Sequence, residues 1–205
     1  MARGDVRERV LEAGYSLFST GGFNATGVKE IVDRAGIPKG SFYAYFGSKD
    51  ALGCAVIDRY WELAHDKLQH LLEEDDQPAE RLKQHFRALS GDLIESEFLV
   101  SCLIGRFSGE VSGQSDSMRE RLSGTFLRWS ACLAQVVGQA KRKGELTTDL
   151  DPQEVADFVL NAWEGAVLRA RADQHDAALK TFEKVVFASV FRAEKAAASS
   201  RSKGA

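Results

Sequence analysis

The chain has 205 residues, a net charge of −3, 44% apolar and 28% charged residues, a balance that suits one modest globular domain or two small ones sharing a helix and excludes a uniformly basic nucleic-acid binder. Three cysteines, Cys54, Cys102 and Cys132, without CxxC spacing exclude a disulfide framework and a Cys-based zinc site. The charged amino terminus is followed by no apolar stretch and no run of about 18 apolar residues occurs, so no secretory leader and no membrane span is expected, and the setting is read as reducing and cytoplasmic.

Apolar residues recur at helical spacing almost throughout, and no segment alternates with period two, so the expected fold is all-α. A first helix is expected over 5–20, with Val6, Val10, Leu11, Leu17 and Phe18 on one stripe, stopped by Gly21-Gly22. Thr26 reads as the N-cap of a short second helix carrying Val28, Ile31, Val32 and Ala35. The Gly36-Ile37-Pro38 turn leads to a third helix over 38–46, and Ser48 caps a long fourth helix from 49 to about 74. Five more are expected over 78–96, 98–111, 115–143, 152–172 and 176–196, and the Ala/Ser/Lys-rich tail, 197–205, reads as disordered. The domain division that follows is 1–50 as a three-helix head and 51–196 as a helical body.

Residues 26–46, two short helices joined by a glycine-containing turn, have the helix-turn-helix pattern. Phe42 and Phe46, four apart, define the buried side of the third helix, which leaves Gly40 and Ala44 in the middle of the outer face. Small residues there let the backbone approach base edges, and the Ala44 methyl suits a thymine methyl. Lys39 and Tyr43 flank one side of that face and Ser41 and Tyr45 the other, as phosphate contacts on both walls of a groove require. Thr26 and Gly27, at a helix N-terminus, offer a hydroxyl and free N–H groups to a phosphate. Charge is distributed to match: seven Lys/Arg against six Asp/Glu in the first 50 residues, 20 against 24 in the rest.

The stretch Gly36-Ile37-Pro38-Lys39-Gly40-Ser41-Phe42-Tyr43-Ala44-Tyr45-Phe46-Gly47-Ser48-Lys49-Asp50-Ala51-Leu52, with the Phe23 to Val28 run before it, resembles the signature of the TetR family of transcriptional regulators. Many relatives carry a larger aromatic or histidine where Ala44 stands. The resemblance implies a two-fold homodimer on double-stranded operator DNA, with the third helix in the major groove and Lys49 as a further phosphate contact. It also implies that a small molecule bound in the body sets DNA affinity, most often as release of a repressor. Two copies would meet through residues 152–196, whose helices carry apolar stripes on two sides (Val155, Phe158, Val159, Ala162 and Ala166; Leu179, Phe182, Val186 and Val190).

For the effector pocket the candidates are Cys102, Arg106, Phe126, Trp129 and Trp163. Residues 98–111 resemble the corresponding segment of a TetR subgroup that includes NemR-like electrophile sensors, with Ser101 in place of a glycine. A cysteine at a helix N-terminus, with Arg106 one turn on, would have a stabilised thiolate and react with electrophiles. The alternative keeps Cys102 as a small apolar core residue beside a reversible, mainly apolar ligand. An enzyme with Cys102 as nucleophile is a poor reading, because local spacing brings it no histidine, acid or glycine-rich oxyanion turn. A helical interaction module without DNA is opposed by the head motif. His65, His70, His85 and His175 have no metal-like pairing, and no metal or cofactor is expected.

Overall fold

A computed structural model describes residues 3–72 and 77–191, without the side chains of residues 3, 67 and 70. Within these residues the chain forms nine helices: α1 (Arg3–Gly21), α2 (Val28–Ala35), α3 (Lys39–Tyr45), α4 (Lys49–Leu72), α5 (Pro78–Glu95), α6 (Leu103–Val111), α7 (Asp116–Arg142), α8 (Pro152–Asp173) and α9 (Ala177–Ser189). The only β pairing among them is an isolated antiparallel bridge between Leu146 and Phe191. The ninth helix, expected to run to 196, ends at Ser189 before the Leu146–Phe191 bridge; the expected last turn of the fourth helix, residues 192–196 and the tail lie outside the described residues.

The helix ends follow from local chemistry. Gly36 ends α2 in the left-handed region, φ 63°, and returns its N–H to Asp33 and Val32 carbonyls. Ser48 Oγ accepts the Ala51 N–H at 3.0 Å and so caps α4. Asp151 and Glu154 close a capping box on α8, with Pro152 in its first turn. Thr26 does not cap α2: its buried hydroxyl donates to the Gly22 carbonyl at 2.8 Å, and Gly27 takes the N-cap position.

The sixth helix starts five residues later than its apolar pattern suggests. After α5, Glu97 and Phe98 are both left-handed (φ 52° and 62°), and their N–H groups return to Ile94 and Leu93 carbonyls at 2.9 Å. Ser96 Oγ donates to the Leu93 carbonyl at 2.8 Å and accepts the Val100 N–H at 3.1 Å. A side-chain hydroxyl thus takes over the partners a continuing helix would need.

Helix α7 is the centre of the body and packs against α4, α5, α6 and α8, with α9 closing over α5 and α8. Helices α1 to α3 enclose Val10, Phe18, Ile31, Val32 and Phe42, all buried. Head and body share one core. Phe107 of α6 meets Phe18 and Phe23 of the head with ring centroids 5.8 and 5.7 Å apart, and Gly14 of α1 lets Leu52 of α4 approach. Burying each such ring is worth about 1.5–3 kcal/mol.

Candidate nucleic-acid interface and body cavity

Helix α3 turns Phe42 and Phe46 into the head's core, and Arg7 of α1 lies over the Phe46 ring at 4.9 Å. This anchoring leaves Lys39, Gly40, Tyr43 and Ala44 exposed on one continuous outer face, with Ser41 and Tyr45 half-buried at its edges. Tyr43 is 55% exposed, although its ring rests edge-on against Phe42. A methyl added at Gly40, or at Gly27 before α2, would meet no atom within 4 Å. The backbone is therefore open to an approaching surface at both places.

Two expected contacts are arranged differently. The Thr26 hydroxyl is consumed inside the α1–α2 turn, so of the pair only Gly27 and the first-turn N–H groups of α2 face outward. Lys49 Nζ sits over the Phe23 ring, 4.3 Å from its centroid, and desolvation lowers its pKa. In this arrangement Lys49 packs the α4 start onto the head.

The body holds a cavity of about 200 Å³ between α4, α5, α7, α8 and the segment leading into α6, and Tyr15 of α1 also lines it. Tyr60 and Leu68 come from α4, His85, Leu89 and Asp92 from α5, Trp129 from α7, and Trp163 and Val167 from α8. Cys102 closes the wall at the start of α6. The Trp129 and Trp163 rings meet edge-to-face at 5.8 Å, and Trp163 Nε1 donates to Ser90 Oγ at 3.3 Å. Three of the five pocket candidates, Cys102, Trp129 and Trp163, thus come together. Phe126 does not join them, because the buried stripe of α7 runs through Leu122, Thr125, Trp129 and Leu133 and Phe126 lies beside it.

Among the described residues, no Lys or Arg lines this cavity. Cys102 is buried, accepts the Tyr60 hydroxyl at 3.6 Å, and has its thiol pushed well above its usual pKa by burial and then by Glu164. The expected thiolate stabilisation at a helix N-terminus is overridden by desolvation and a neighbouring acid. Glu164, on α8 behind Cys102, is raised to about 7 by burial, and its Oε1 has no hydrogen-bond partner. Its carboxyl lies against Gly105, where any Cβ would collide with it. The sequence reading missed Glu164 and Tyr60 as neighbours of Cys102; an acid between Trp163 and Gly165 in an apolar helix was the available signal.

Arg106 points away from the cavity. Its Nη1 donates to the Ser19 and Thr20 carbonyls at the end of α1, at 3.1 and 2.9 Å, and its Nε donates to Glu110 at 3.1 Å. The other Glu110 carboxylate oxygen accepts the Asn24 N–H at 2.9 Å, and the Glu110 carbonyl accepts Asn24 Nδ2 at 3.1 Å. Orphan carbonyls at a helix C-terminus attract a cation, which is why Arg106 turns to the head. Arg169, also on an apolar helix, bonds to Asp173 at 2.6 Å on the surface.

The family model for bacterial regulatory proteins of the tetR family matches residues 10–56, and the tetracyclin repressor-like C-terminal domain matches residues 78–186. The transcriptional repressor DhaR of Mycobacterium sp. (strain GP1) is 34% identical over 91% of this chain and 93% of its own length. The chain belongs to the TetR family. A second relative, the transcriptional repressor NemR of Escherichia coli (strain K12), is 30% identical over 82% of this chain and 84% of its own. In structure, this TetR protein overlays reduced E. coli NemR with a TM-score of 0.83 at 28% identity, covering 91% and 97% of the two chains. The regulatory protein TetR from Rhodobacter sphaeroides gives 0.79 at 32% identity, covering 87% and 95%. As a TetR-family member the chain is a helix-turn-helix DNA-binding regulator of transcription and not an enzyme.

Proposed function

We propose that this protein is a dimeric repressor that leaves a near-palindromic operator when a small, uncharged, mainly apolar molecule occupies the body cavity. The observation that carries the DNA half is the outer face of α3, where Gly40 and Ala44 stand open between Lys39 and Tyr43 while Phe42 is buried. Repression is favoured because DhaR and NemR bear that description. Such a regulator acts where the operator is, in the cytoplasm.

The dimer face is the unpartnered side of α8 and α9. Phe158 and Leu168 of α8 are 56% and 70% exposed, with Gly165 between them, and Val185 and Ala188 of α9 lie exposed nearby in sequence register. Of the α8 stripe named from the sequence pattern, Val155, Val159 and Ala166 are buried within the chain itself and Phe158 stands outside. Large apolar side chains left in water at helical spacing favour a second copy as their cover.

The ligand class follows from the wall. A carboxylate or phosphate buried there would face Asp92 in the wall and Glu164 behind it, with no Lys or Arg among the described lining residues to balance it, at a cost of several kcal/mol. A dry cavity of about 150 Å³ holds benzene, so about 200 Å³ suits a substituted single ring or a short branched chain. Covalent capture by Cys102 is the second reading, favoured by its place in the wall and opposed by its protonated thiol.

The test is selection of duplexes from random DNA, followed by a screen of neutral and anionic single-ring compounds for release. Neutral compounds should release the DNA and anionic ones should not. Failure to select any sequence would overturn the repressor reading. Release that requires an adduct on Cys102, seen by mass spectrometry, would replace the reversible ligand with the covalent one.

A further inference from the structure

Helix α6 reaches both halves of the molecule. Its N-cap, Cys102, is part of the cavity wall, and its middle carries the Arg106 and Glu110 contacts to Ser19, Thr20 and Asn24. These side chains are mostly buried, and the turn they hold is tightly specified. Gly22 has φ 88°, and a Cβ there would strike the Glu110 carboxylate.

We infer that Arg106 and Glu110 are positioning residues that carry the state of the cavity to the DNA-binding head, an inference that rests on the effector reading above. A helix of nine residues is a stiff rod of about 13 Å, so a push at Cys102 arrives little diminished at the α1–α2 turn. The Phe107 cluster between head and body is apolar and non-directional, and tolerates sliding. The Arg106 and Glu110 hydrogen bonds, at 2.9–3.1 Å, are directional and weaken steeply if stretched by roughly 1 Å. Of the two kinds of contact, the polar one distinguishes one α6 position from another. Two routes compete with it: α4, which runs from the head into the cavity wall at Tyr60 and is tied to α1 through Arg59 with Glu8 and Glu12, and α1 itself, whose Tyr15 lines the cavity.

A cavity-filling variant replaces the unidentified ligand. Leu89→Trp places bulk in the cavity from α5, which packs on α4, α7, α8 and α9. In the otherwise unmodified full chain it should weaken binding to the selected duplex by roughly tenfold, within the usual range of allosteric coupling. In Arg106→Gln and Glu110→Gln backgrounds, each still binding the duplex, the same change should cost less than about twofold. A loss of equal size in both backgrounds overturns the latch and assigns the coupling to α4 or to Tyr15 of α1. No loss in the unmodified background overturns the effector-cavity reading and this inference with it. Hydrogen exchange of residues 19–24 supplies a measurement that needs only Leu89→Trp. Faster exchange there than in the unmodified chain is expected, and unchanged exchange overturns the proposal even if the glutamine variants fail to fold.

Discussion

Gly40 separates two effects that are usually mixed. A Cβ added there meets no protein atom within 4 Å, and removing a helical glycine gains up to about 1 kcal/mol of helix propensity. Gly40→Leu should therefore melt no lower than the unmodified protein yet lose sequence-specific binding, measured by thermal melts and mobility shifts on the selected duplex. Lys39→Ala should weaken specific and random duplex alike and lower the salt slope by about one unit. Glu164 makes a different kind of claim. Its pKa is raised from 4.5 to about 7 by burial, so the fold favours the protonated acid. Below the unfolded value the acid costs nothing. As pH rises from about 4.5 to about 7 the fold loses up to roughly 3 kcal/mol, and above that the loss is constant. Glu164→Gln should accordingly be more stable than the unmodified protein at pH 8, with the gap shrinking towards pH 5 in thermal melts; an unchanging gap would place the carboxyl in water. The same burial orders the thiols: N-ethylmaleimide should modify half-buried Cys54 before Cys102, as peptide mass spectrometry would read.

At the scale of elements, helix existence was legible in the sequence because a 3.6-residue period is local information, and the caps at Ser48, Asp151 and Gly36 sit where their side chains dictate. The outer face of α3 was legible for the same reason, since Phe42 and Phe46 alone fix its rotation. What the sequence could not supply was which long-range partner wins. Apolar Phe98-Leu99-Val100 continue a helical pattern, yet Ser96 diverts their backbone. Arg106 has the spacing of a cavity residue, yet the carbonyls of a helix far along the chain claim it. Cys102 stands at a helix start, but its ionisation is governed first by burial and then by Glu164, on another helix. The α8 stripe named from the sequence mixes two faces, a correction only the packed chain supplies: Val155, Val159 and Ala166 are spent internally, whereas Phe158 is exposed. That correction sets the interface test. Leu168→Glu, on a residue already in water, should leave helix content unchanged and weaken dimer association by more than about 100-fold in light scattering, since a charge would be buried without a partner. A variant that stays dimeric at micromolar concentration would move the interface elsewhere.

The whole molecule binds DNA as a geometric object: two heads must reach half-sites about 34–36 Å apart or a multiple of it, and footprints on the selected duplex should show that repeat. Because α1 is joined to the body by an aromatic cluster and by the Arg106 and Glu110 contacts, the head's orientation is set from below as well as by α4. This limits how recognition can be exchanged among relatives. A chimaera that imports a foreign 1–50 brings strange side chains to Phe107, Arg106 and Glu110, and should bind the donor's operator while ignoring this protein's inducer. A chimaera that imports only 26–46 keeps Phe18, Ser19, Thr20, Phe23 and Asn24, and should answer the old signal at the new operator. Sequence readout in this regulator is thus a detachable cassette of two short helices, whereas obedience to the signal is a property of the joint beneath it.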